Sequence, residues 1–256
     1  MSNENKSIHE FDFSLICEYF SHLERQGPGS PEITKEVAGY IKRPAGEMRT
    51  ADIGCGTGGQ TMVLAGQIPG VITGIDLFPA FIDLFNQNAA RLNLHDRVKG
   101  IAGSMDNLPF RDGELDLIWS EGAIYNIGFE KGLREWRRFL KPGGYIAVSE
   151  VSWFTDERPL EIEEFWQDAY PLIDTIPNKL QQMEKAGYEP MAHINLPENC
   201  WTDNFYHPQV SLQEEFLKKY KGNKIAEDFI ASERHEYQLY KRFKEYYGYT
   251  FYIGRV

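Results

Sequence analysis

The chain has 256 residues, 42% hydrophobic and 25% charged, with a formal net charge of -11. That profile fits an ordinary globular fold, and its acidic balance repels polyanions, so no nucleic-acid partner is expected. No apolar run approaches the ~18 residues of a membrane span, and the N-terminus lacks a basic stretch leading into an apolar one, so the expected location is cytoplasmic with no membrane partner. Cys17, Cys55 and Cys200 are widely separated, with neither a CxxC pair nor zinc spacing. They read as reduced thiols, and no metal site is expected.

In chain order, Phe13, Ile16, Cys17, Phe20 and Leu23 recur at helical spacing within residues 1–24. A turn at Gln26–Ser30 follows, and Pro31-Glu32 opens a helix to about Ile41. Residues 1–45 are thus expected to form a helical cap. From Thr50 strands and helices alternate. Strands are expected at Thr50–Gly54, Val71–Ile75, Val98–Ala102, Leu115–Ser120 and Tyr145–Glu150. Helices are expected at Gln60–Ala65, Pro79–Leu92 and Lys131–Leu140, the last stopped before Pro142-Gly143-Gly144. This order predicts an α/β fold whose parallel sheet is covered by helices on both faces. Further on, helices are read at Glu161–Ala169 and Asn178–Ala186, strands at Tyr188–Asn195 and Tyr249–Arg255, and one polar helix over Leu212–Tyr247. The domain reading is a cap over 1–45 and a main domain over 46–256, with helical insertions around 155–175 and 197–247.

The strongest local signal is ADIGCGTGG, Ala51 to Gly59. Gly54, Gly56 and Gly58 allow backbone to approach a ligand, and the free N–H groups of the following helix suit an anion. Asp76 ends the next strand, where a carboxylate accepts hydrogen bonds from ribose hydroxyls. The same glycines satisfy the dinucleotide pattern GxGxxG, so a nicotinamide-dependent oxidoreductase stays open. Asp52, just ahead of the loop, argues against it: a carboxylate there repels a pyrophosphate and suits an ammonium.

ADIGCGTGG, GIDLFP, GSMDNLPF, LDLIWSEGA and LKPGG occur in that order. Together they resemble the class I S-adenosylmethionine-dependent methyltransferases of small molecules, the group that includes ubiquinone and sterol methyltransferase relatives. The resemblance is strong over residues 26–150. It implies a Rossmann-like sheet of seven strands, mostly parallel with the last antiparallel, and S-adenosyl-L-methionine as cofactor. By position, Asp52, Gly54, Gly56 and Gly58 would hold its amino-acid part, with Gln60 and Thr61 opening the helix behind them. Asp76 would take the ribose, Leu77 would flank adenine, and Ser104 and Met105 would lie at the adenine edge. Glu121 and Gly122 would stand beside the methyl group. Ser104 replaces an acid common in relatives, and Asp106 is the alternative partner for the adenine amino group. The loop Arg25-Gln26-Gly27-Pro28-Gly29-Ser30 resembles one that covers the cofactor in relatives, where Arg25 would pair with the cofactor carboxylate.

An activated methyl group needs alignment more than acid–base machinery, and no catalytic triad or metal set is visible. The catalytic candidates are Glu121 and His207, the latter in the loop-like stretch NFYHP. Tyr125, Glu150, Trp153, Trp201 and Tyr206 are further candidates for the acceptor site, although packing is the favoured explanation for each Trp or Tyr alone and capping of the following turn explains Glu150 equally well. The tyrosine-rich C-terminus suits either a substrate wall or a homodimer surface. The expected function is methyl transfer to an oxygen, nitrogen or carbon of a small molecule. The alternatives are the oxidoreductase and a noncatalytic S-adenosylmethionine-binding protein.

Overall fold

The computed structural model describes residues 13–42 and 46–256. The expected cap therefore falls partly outside the described residues, at 1–12 and 43–45. Its visible part is α1 (Phe13–Ser21) and α2 (Pro31–Ala38). Ser30 starts α2 by accepting the Ile33 N–H on its hydroxyl at 3.1 Å, with Pro31 in the first turn and Glu32 favourable to the helix dipole.

The sheet holds β1 (Met48–Ile53), β2 (Gly70–Asp76), β3 (Val98–Ala102), β4 (Leu115–Ser120) and β5 (Leu140–Trp153). It is completed by β6 (Asp174–Thr175), β7 (Glu189–Asn195) and β8 (Tyr247–Arg255). Its order is β3-β2-β1-β4-β5-β8-β7, with the two-residue β6 paired to the end of β5. Strands β1 to β6 pair in parallel, and β8 runs antiparallel to both β5 and β7. The expected seven strands and antiparallel last strand are present, and β6 is an addition too short to leave a pattern in sequence.

Alternation along the strands explains the two cores. Leu117, Trp119, Ala147 and Val151 face one cluster, and Ile118, Ile146 and Val148 face the other. The first cluster takes α3 (Gly59–Ala65) and α4 (Pro79–Arg91), while the second takes α5 (Phe129–Trp136) and α7 (Ile176–Lys185), with α6 (Leu160–Ala169) between them in the chain.

Two expectations are corrected. The helix read over Leu212–Tyr247 is two helices, α9 (His207–Lys219) and α10 (Lys224–Phe243). Gly222 turns with φ +82° and the Asn223 side chain caps α10, so the break has a local cause. The stretch around His207 is helical rather than a loop. Following α8 (Glu198–Trp201), a π-helical turn at Thr202–Tyr206 runs directly into α9. A third small core joins the cap to these C-terminal helices: Leu15, Tyr19 and Leu23 of the N-terminal segment bury against Phe216, Phe229 and Ile230.

Candidate active site

The strand order reverses between β1 and β4, and ligands bind outside the strand ends at such a switch. A cavity of about 550 Å³ opens there. The loop after β1 forms one side and the loop after β4 the other. Of the expected binding residues, Arg25, Gly27, Gly54, Gly56, Gln60, Asp76, Leu77, Ser104, Met105, Glu121 and Gly122 all line it.

The glycine loop is fixed by close approach. Gly54 has φ +73°, and a Cβ there would stand 2.2 Å from that of Ala123. Gly56 has φ +53°, and its Cβ would stand 2.1 Å from Gln26 Oε1. Both positions therefore exclude a side chain on conformational and steric grounds. Asp76 braces the loop: its carboxylate accepts the Gly56 N–H at 2.9 Å and the Phe78 N–H at 3.1 Å. Burial raises the Asp76 carboxyl above its usual range, and these backbone donors oppose the rise.

Three expected residues support the cavity from behind. Asp52 is fully buried beneath the loop, with Oδ2 accepting the Thr61 hydroxyl at 2.5 Å. Its Oδ1 is buried without a hydrogen-bond partner. Burial, ahead of the nearby Glu121, pushes this carboxyl up to about 7. Gly58 begins α3, and a Cβ there would meet the Phe85 ring at 2.7 Å, so its role is helix packing.

Glu121 is held from three directions. Its Oε2 accepts from Arg25 at 2.8 Å, and its Oε1 accepts from the Thr34 hydroxyl at 2.8 Å and the Trp119 indole at 2.9 Å. The Arg25 and Glu121 side chains are 7% and 4% exposed, so the pair lies out of solvent. Arg25 also donates to Thr34 at 3.2 Å. The cap is thereby anchored to the end of β4.

Gln26 is a site residue that the sequence motifs did not single out. Its Oε1 accepts the Thr57 N–H at 3.0 Å, while its amide donates to the Phe20 and Leu23 carbonyls at 3.2 and 3.0 Å. One side chain thus fastens the cap to the glycine loop. Its place in the turn QGPGS, within the loop that resembles a cofactor cover, was the signal available. At the other end of the cavity, Asp106 pairs with Lys131 at 2.6 Å, which leaves Ser104 as the nearer polar group without an ion pair. His207 does not reach the cavity. It lies half exposed at the start of α9, with Nδ1 at 3.3 Å from Asp203 and Nε2 at 3.1 Å from the Tyr237 hydroxyl.

Comparison with known proteins agrees with this geometry. The family described as "Methyltransferase domain" matches residues 51–148. The erythromycin 3''-O-methyltransferase of Saccharopolyspora erythraea is 31% identical over 219 residues, covering 75% of this chain and 68% of that one. The chain belongs to the S-adenosylmethionine-dependent methyltransferases. A sterol 4-C-methyltransferase of Caenorhabditis elegans is 32% identical over 104 residues, 39% of this chain, and the chain spans only 30% of its length. In fold, a methyltransferase from Geobacter sulfurreducens, solved with S-adenosyl-L-homocysteine, superposes with a TM-score of 0.81 at 20% identity over 94% of this chain and 97% of that one.

The residues of this methyltransferase fit the cofactor on their own evidence. The side-chain-free cradle at Gly54 and Gly56 and the Asp76 carboxylate at the next strand end make one polar wall, with the unpartnered Asp52 Oδ1 buried behind it. Exposed Leu77 and the Met105 side chain supply apolar surface at the opposite end, where a flat base can lie.

Proposed function

We propose that this methyltransferase moves the methyl group of S-adenosylmethionine to an oxygen, nitrogen or carbon of a small-molecule acceptor, an oxygen being favoured by the name of the erythromycin relative. The carrying observation is one cavity at the β1–β4 switch that gathers the glycine loop, Asp76 and the Arg25–Glu121 pair. In this reading Gly54 and Gly56 receive the amino-acid part, with Arg25 pairing with its carboxylate and Asp52 favouring its ammonium. Asp76 receives the ribose, and Leu77, Ser104 and Met105 the adenine. When bound, the sulfonium supplies an activated methyl group, taken by the acceptor's electron pair as the sulfur–carbon pair returns to sulfur.

What the chain itself does is align and exclude water. Glu121 serves as the anchor that orients Arg25, since every donor around it favours a fixed carboxylate. No proton is routed through His207, whose ring is engaged by Asp203 and Tyr237 away from the cavity. The cap and the helices around 197–247 share the small core of Tyr19 and Phe229, which supports a joint covering over the main domain. Three free cysteines, two of them buried, support a cytoplasmic location.

Calorimetric titration with S-adenosylhomocysteine, with NADH in parallel, tests the reading on wild type and Asp76→Ala. We expect S-adenosylhomocysteine to bind wild type and to bind the variant at least about tenfold more weakly, roughly 1.4 kcal/mol. Binding of NADH alone would overturn the reading in favour of an oxidoreductase.

A further inference from the structure

The turn that follows β4 is tied down on both flanks by buried serines. β4 lies between β1 and β5 in the sheet. On the β1 side the Ser120 hydroxyl donates to the Ile53 carbonyl at 2.8 Å. On the β5 side the Gly122 N–H donates to the Ser149 hydroxyl at 2.7 Å, past the last paired residue of β4. Both serines are fully buried. Gly122 lines the cavity with φ +59°, and apart from its chain neighbours the nearest group to where its Cβ would be is the Tyr249 ring, at 3.8 Å. Glycine is therefore required there by the turn and not by crowding. The same turn abuts the glycine loop, Ala123 against Gly54.

A peptide group is planar and trans, so its N–H and C=O point in opposite directions. With the Gly122 N–H drawn to Ser149, the Glu121 carbonyl on the same peptide points away from β5, to the side where β1 ends. β1 offers it no donor. The chain turns out of the sheet at Gly54, and the Gly54 and Cys55 N–H groups both go to the Ile75 carbonyl of β2, at 2.8 and 3.1 Å. Among the described residues no group donates to the Glu121 carbonyl. The opening between these strand ends is the cavity itself. The Glu121 carboxylate is engaged elsewhere, by Arg25, Thr34 and Trp119. What residue 121 turns toward the cofactor side is thus a main-chain oxygen. Its peptide is clamped at one end through that carboxylate and at the other through Ser149.

We propose that Ser149 is a positioning residue for methyl transfer: by holding the Gly122 N–H it aims the Glu121 carbonyl at the sulfonium and its methyl group. The proposal rests on the cofactor reading above, with the methyl group beside Gly122. A carbonyl fixed before the ligand arrives meets positive charge without reorganising. A hydrogen bond at the N–H of a peptide makes its carbonyl a stronger acceptor, and a methyl group on sulfonium is polarised enough to make a C–H···O contact. S-adenosylhomocysteine has neither the charge on sulfur nor the methyl group, so it gains little from this oxygen. The consequence is discrimination: the charged cofactor is held more tightly than its neutral product, with its methyl group kept in line.

The test titrates the full chain calorimetrically with S-adenosylmethionine and with S-adenosylhomocysteine, in wild type, Ser149→Ala and Ser149→Thr. A second readout is the proton resonance of the methyl group in bound, isotope-labelled S-adenosylmethionine, which on wild type should lie downfield of the free ligand. Ser149→Ala should weaken S-adenosylmethionine by about tenfold and S-adenosylhomocysteine by no more than about twofold, and it should move the methyl resonance back toward the free position. Retained S-adenosylhomocysteine binding also reports an intact fold. Ser149→Thr, which keeps the hydroxyl, should restore both readouts. An unchanged affinity ratio in Ser149→Ala overturns the proposal, and so does an equal loss of both ligands, which would make Ser149 a purely structural residue. A wild-type methyl resonance at the free position overturns it without recourse to any variant. If wild type binds neither ligand, the cofactor reading falls and this proposal with it, whereas failure of the ratio or the resonance alone leaves that reading standing.

Discussion

The guanidinium of Arg25 and the carboxylate of Glu121 meet at 2.8 Å although 96 residues separate them in sequence. Because both side chains are almost wholly buried, removing Arg25 leaves the Glu121 carboxylate without its counter-ion, held only by Thr34 and Trp119. Arg25→Ala should therefore destabilise the chain by about 3 kcal/mol, and Glu121→Gln added to it should recover much of that loss. Urea denaturation of the single and double variants measures both. An additive double variant would sink the claim that the pair acts as a unit.

Gly56 and Gln26 make a second coupled pair. Gly56→Ala places a methyl group against Gln26 Oε1 on backbone with positive φ. S-adenosylhomocysteine affinity should fall by about a hundredfold, roughly 2.7 kcal/mol. Shortening the partner in Gly56→Ala/Gln26→Ala relieves the contact but not the backbone strain, so we expect partial recovery by calorimetry. Recovery to wild-type affinity would assign the whole effect to sterics.

Asp52 gives the chain a pH dependence. The folded state keeps this proton up to about pH 7, whereas the unfolded chain releases it near ~3.9. Between those limits the folded state binds more protons, so stability falls as pH rises, and the loss is complete above the folded value. Tm of wild type should drop from about pH 5 to about pH 8 relative to Asp52→Asn. Saturating S-adenosylhomocysteine, whose ammonium favours the ionised form, should reduce that slope. A wild-type slope equal to the variant's would show that Asp52 is ionised throughout.

His207→Ala should leave turnover and cofactor affinity within about twofold, since the lost contacts are exposed ones to Asp203 and Tyr237. Radiolabelled methyl transfer to a confirmed acceptor checks it, and a loss of ten times or more would return His207 to the catalytic machinery.

The sequence made the parallel half of the molecule legible because each element there carries its own local mark. Gly54 and Gly56 report positive φ, Asp76 ends a strand with a polar residue, and Pro79 opens a helix. What it hid depends on contacts between distant segments. Nothing local in Gln26 says that it will hold Thr57, and nothing in Glu121 names Arg25 and Thr34 as partners. The Glu150–Lys179 pair shows the same limit. The end of β5 marked Glu150 as polar, but its burial against Lys179 at 3.0 Å and Tyr170 at 2.5 Å required the fold. The stretch around His207 misled in the opposite direction: a proline after it suggested a loop, yet Pro208 sits where the wider π-helical turn passes into α9.

The short loop that starts at Arg25 touches both halves of the cavity. Gln26 ties it to the glycine loop, and the Gly29 N–H donates to the Cys200 carbonyl of α8 at 3.2 Å. The loop thus fastens the glycine loop to α8 through a few backbone and amide hydrogen bonds. A change that displaced α8 would therefore be transmitted to the glycine loop, so these two distant segments are constrained to vary together in this chain.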